Sequence, residues 1–170
     1  IIAYRKLLKY LGYNIEAKLG DVIFQSALID EEILQHLKVD LRGLDFCIFG
    51  SENIQSELKE DEKYFFFTGD WKIKWVMSKI NGFYYDMRQH PLSGRIDLGQ
   101  VDKLDVPGLP SQEEIDYFKD KAKTYRERGL AVVLAGPDGG ILEHAFAIRG
   151  HEDFMIDMVS QPGLAKKLLD

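Results

Sequence analysis

The chain has 170 residues, 45% hydrophobic, 29% charged and 12% aromatic, with a formal net charge of −6. This is the composition of a globular protein with room for one sizeable core, and its acidic balance excludes a general affinity for nucleic-acid backbone, which needs a basic footprint. No apolar stretch reaches bilayer length and no signal-peptide pattern is visible, so the expectation is a cytoplasmic protein with no membrane partner.

Residues 1–12 (IIAYRKLLKYLG) predict a helix. Ala3, Tyr4, Leu7, Leu8 and Leu11 follow helical spacing, Arg5, Lys6 and Lys9 take the other face, and Gly12 is placed to stop it. DVIFQSA at 21–27 reads as a short strand or an extended link. Asp30 stands where a helix N-cap belongs, before EEILQHLK, whose Glu31 and Glu32 suit the positive end of a helix. The run from Val39 to Phe49 alternates and then becomes continuously apolar, as a buried strand does. It holds Cys47, the only cysteine. That count excludes an intrachain disulfide and a cysteine metal cluster, and the thiol reads as a small core residue of a reducing compartment.

Tyr64-Phe65-Phe66-Phe67, WKIKWVM and Phe83-Tyr84-Tyr85 follow, with Asn81-Gly82 as a hairpin signal. They predict an inserted antiparallel hairpin over about 64–86. Ser111 and Glu114 have capping-box spacing before a helix to about Arg128. Gly129 ends it, and the strand 130–135 follows. That strand stops at Gly136-Pro137-Asp138-Gly139-Gly140. A helix over 141–149 comes next, then one from His151, then one opened by Pro162.

Helices alternating with apolar strands predict an α/β fold with a mostly parallel sheet. The parallel strands are those at 44–49 and 130–135, with a third near 22–24. These are too few for a closed (β/α)8 barrel, which takes about 250 residues. Both ends read as cut helical segments. The expectation is a single-domain fragment, 1–170: part of a (β/α)8 TIM barrel without its first strand.

Four stretches together resemble the uroporphyrinogen decarboxylase superfamily: AYRKLLKYLGY at 3–13, ILQHLKVDLRGL at 33–44, GDWKIKWVMSKINGFYYDMRQHPLSG at 69–94 and AIRGHEDFMIDMVSQPGLAKKLLD at 147–170. Their order and spacing cover nearly the whole chain, each being a loose pattern alone. The resemblance implies the N-terminal half of a (β/α)8 barrel, with later strands beyond Asp170. GDWKIKW followed by GFYYDMRQHPL is similar to the methyltransferase-related branch. The decarboxylase pattern has a tyrosine where counting back from Arg149-Gly150 places Phe146, and a glycine-proline-phenylalanine-threonine run where this chain has Gly136-Pro137-Asp138-Gly139-Gly140.

On that frame the turn at 136–140 is a loop at the barrel mouth, where catalytic residues gather. Its glycines allow close backbone approach, and the helix start behind Asp138, Gly139 and Gly140 suits an anionic substrate group. Glu143 and His144 stand just beyond as candidate catalytic groups. Each has a plainer alternative: Asp138 as a cap, Glu143 as a helix-dipole partner, His144 as a satisfied core histidine. Arg42 is the third catalytic candidate, as a bidentate grip on a substrate carboxylate; its alternative is an ion pair with Asp40. Trp71, His90 and Phe146 complete the substrate-binding candidates, against a hairpin core for the aromatics and a turn role for His90. The four histidines show no metal-ligand spacing.

The resemblance implies a corrinoid-dependent methyltransferase that moves a methyl group between a small donor or thiol and a separate corrinoid protein. No cofactor is expected in this chain itself. Zinc is expected on later strands, and homo-oligomers fit the same frame. The alternatives are the decarboxylase of porphyrin synthesis and a non-catalytic scaffold that binds a partner. A fragment of this kind is expected to expose apolar strand residues.

Overall fold

The computed structural model describes residues 1–45, 57–69, 71–106, 108, 110–135 and 140–170. Cys47, Asp70, Asp138 and Gly139 lie outside the described residues, as does most of the expected strand at 44–49. In chain order the elements are α1 (Ile2–Leu11), β1 (Leu19–Asp21), β2 (Ser26–Ala27), α2 (Glu31–His36), β3 (Leu41–Asp45), β4 (Lys59–Glu60), β5 (Tyr64–Thr68), β6 (Lys74–Ser78), β7 (Asp86–Gln89), α3 (Leu98–Asp102), α4 (Gln112–Glu127), β8 (Ala131–Ala135), α5 (Gly140–Arg149), α6 (His151–Ser160) and α7 (Pro162–Leu169). The fold is mixed α/β, with one parallel pair and several antiparallel strands. The described strands form no closed barrel. No described helix is long and apolar enough to cross a membrane.

By internal packing the chain divides into two compact units, Ile1–Asp45 with Pro110–Leu134 and Phe46–Leu109 with Ala135–Asp170. In the first unit, α1 ends at Gly12, whose φ of 78° lies in the left-handed region that glycine adopts without strain. The apolar stripe of α1 places Tyr4 and Leu8 in a core with Ala17 and Ile33. Asp30 precedes α2 as expected, but its side chain makes no cap bond. The carboxylate instead accepts from the Tyr4 hydroxyl at 2.7 Å, which ties α1 to the start of α2. Residues 22–25 correct the expectation of a third parallel strand. They are the turn between β1 and β2, which pair antiparallel with Leu19 opposite Ala27. The physical reason is local: Asp21 Oδ1 accepts from Phe24 N at 2.8 Å, and Gln25 takes a φ of 53°, so the chain reverses before a strand can extend.

β3 and β8 are neighbours in one sheet, joined by a crossover that contains α4. α4 opens on the capping box read from the sequence: Ser111 accepts from Glu114 N, and Glu114 accepts from Ser111 N. None of its 16 residues is buried, and Ile115, Phe118 and Tyr125 are only partly covered. A sheet of two strands is too narrow to cover a helix. Val133 and Leu134 of β8 remain 46% and 63% exposed. As consecutive strand residues they point to opposite faces, so neither face of β8 is fully covered.

In the second unit, β4 to β7 form a four-stranded antiparallel sheet in sequence order, larger than the hairpin expected over 64–86. Phe67 faces Trp75 across β5 and β6, with ring centroids 6.4 Å apart and nearly parallel, and Tyr85 meets Phe67 edge-on at 5.1 Å. Trp75 and Tyr85 are therefore sheet core. Asn81-Gly82 sits in a seven-residue connection, 79–85, not a two-residue turn. Asn81 has a φ of 65°, and a Cβ on Gly82 would lie 2.1 Å from Ser78 O, so only glycine fits. The helices α5 to α7 pack on one another around Ala145, Phe154 and Ala165. A second cluster joins Leu92, Ile96, Ile148 and Leu164. Burying Phe154 completely contributes roughly 2–3 kcal/mol to this unit.

Candidate functional site

The sequence candidates that the structure brings together lie on α5. This helix begins at Gly140, whose φ of 78° is open to glycine at no steric cost. One turn later, His144 Nδ1 stands 2.9 Å from Gly140 O. A carbonyl oxygen only accepts, so Nδ1 carries the proton and donates. The imidazole is thereby oriented by its own helix. Its Nε2 is shielded from solvent. Against the ring stands Trp71, with centroids 6.0 Å apart and planes at 66°. Trp71 is delivered by the β5–β6 turn, in which Lys72 N donates to Gly69 O at 2.8 Å and Lys72 takes a φ of 58°. The indole also packs on the cluster of Leu92, Ile96, Ile148 and Leu164. Its Nε1 is buried and has no hydrogen-bond partner among the described residues. Glu143 faces solvent beside the helix start.

His90 serves the other end of α5. Its Nδ1 donates to Ala147 O at 2.7 Å. The ring also lies against Gly150, where a Cβ would come within 3.3 Å of the imidazole at a φ of 91°. His90 thus fixes the turn between α5 and α6. Phe146 is turned away from His144, since two residues on a helix are about 200° apart. It packs on His151 at 4.4 Å and on Phe154 at 5.7 Å. It therefore stands in the interhelical core, apart from the face that Trp71 covers.

Arg42 belongs to the first unit, on β3, and is buried. Its Nε donates to Glu31 Oε2 at 2.8 Å and one terminal nitrogen donates to Glu31 Oε1 at 3.1 Å. The other donates to Val39 O and Leu41 O. The partner is Glu31, not the Asp40 that the sequence offered. Glu31 also accepts from Arg128 and Gln35, and these donors hold its carboxyl down at about 2, the Arg42 hydrogen bonds being the largest cause.

A second charged centre was legible only in part. Arg149, Asp153 and Asp157 are spaced by four residues, which places both acids within reach of the arginine at the α5–α6 junction. Arg149 and Asp157 are buried. The guanidinium donates to Asp157 at 2.6 Å, to Asp153 at 3.0 Å, and to the carbonyls of Leu92 and Gly94 at 2.5 and 2.6 Å. The carbonyls come from a loop more than fifty residues away, for which the sequence carries no local sign.

No group of three or more metal-ligating side chains is present among the described residues. His90 and His144 each commit Nδ1 to a backbone carbonyl, and His151 packs on Phe146. No protein-family model matches the chain, and no curated protein or solved structure does so.

Proposed function

We propose that the chain is part of a corrinoid-dependent methyltransferase of the uroporphyrinogen decarboxylase superfamily, built on a partial (β/α)8 barrel. The methyl group moves between a small donor or thiol and the corrinoid of a separate protein. The observation that carries this reading is the α5 arrangement: His144 is oriented by Gly140 O and faced by the Trp71 indole. In this reading His144 and Glu143 handle the proton of the thiol or donor, and Trp71 forms an apolar wall beside it. Asp138 and Gly139, which lie outside the described residues, are proposed to bind the substrate. His90 holds α5 in place.

The decarboxylase reading loses support from Phe146, which offers no hydroxyl and is packed between His151 and Phe154. A scaffold role has one specific support, the engagement of Arg42 by Glu31, Val39 O and Leu41 O.

The test uses the protein expressed from its complete gene. Methylcobalamin and a thiol are supplied, and demethylation is followed by the change in corrinoid absorbance. Turnover is expected, with a loss of about 10²-fold in His144→Gln. Elemental analysis is expected to give about one zinc per chain. No turnover and no zinc together would overturn the methyltransferase reading in favour of the scaffold.

A further inference from the structure

We draw no further inference here: the strongest candidate, the exposed apolar stripe of Met155, Ile156 and Val159 on α6, carries nothing because no feature among the described residues shows what covers it.

Discussion

Replacing Glu31 tests the charge network of the first unit. In Glu31→Gln the side chain keeps its size and loses its charge. A carboxyl held at about 2 against an ordinary 4.5 nominally corresponds to roughly 3 kcal/mol of preference for the charged form. Glu31 is 39% exposed, however, so water screens the pair and the expected loss is about 1–2 kcal/mol. The folded-state value is depressed, so this contribution is fully present above pH ~4.5 and disappears as the pH falls through ~2. Urea unfolding followed by far-UV circular dichroism, at pH 7 and at pH 2.5, gives the difference between the two proteins. It is expected to shrink at the lower pH. Trp71 and Trp75 both belong to the second unit, so their fluorescence reports that unit separately. A loss of equal size at both pH values would refute the reasoning, because the effect would then not arise from the charge. So would an unchanged midpoint at pH 7.

Glu31→Ala is expected to cost more, about 3 kcal/mol, because it removes the acceptor as well as the charge and leaves donors of Arg42, only 4% exposed, buried without a partner; the same dichroism measurement checks it. In the second unit, Arg149→Met leaves the Asp157 charge buried without its counter-ion, and the unfolding free energy followed by fluorescence is expected to fall by about 3–5 kcal/mol. Gly150→Ala is expected to destabilise more than Gly12→Ala, because both have positive φ but only Gly150 has an imidazole 3.3 Å from the added Cβ; chemical denaturation of the two variants decides it. Ser111→Ala removes the α4 cap and is expected to lower stability by about 1 kcal/mol, with fraying seen as faster amide exchange over the first turn of α4.

What the sequence made legible follows from how local each cause is. Gly12, the Ser111–Glu114 box and Pro162 act within one turn of the chain, and α1, α4 and α7 begin or end where those residues stand. The aromatic run announced a sheet, because alternating bulky residues have few other uses. The fourth strand, β4, has only two residues and pairs Lys59 with Phe66, a polar segment with no strand pattern of its own. Residues 22–24 were misleading for a similar reason. Val22, Ile23 and Phe24 have strand composition, yet the neighbouring Asp21 closes a turn over them. At the candidate site, the closeness of Glu143 and His144 was plain from the sequence. The approach of Trp71 to His144 was not, since it spans more than seventy residues and depends on packing of a hairpin turn on a helix face.

Arg42 separates the functional candidates into two kinds. A guanidinium that grips a substrate must have donors to offer. Those of Arg42 are engaged by Glu31 and by two carbonyls of its own strand region. To take a substrate carboxylate it would have to release Glu31, which Arg128 and Gln35 also hold, and the incoming group would only replace one carboxylate by another. The exchange gains little and loses the tie between α2, β3 and the end of α4. As it stands, Arg42 ties β3 to α2 through Glu31. His144 differs in kind. Its Nδ1 donates to a carbonyl of its own helix, which fixes the ring's direction. Under the proposed methyltransferase reading, Arg42→Lys is expected to lower the stability of the first unit while leaving methyl transfer that depends on His144 unchanged per folded molecule.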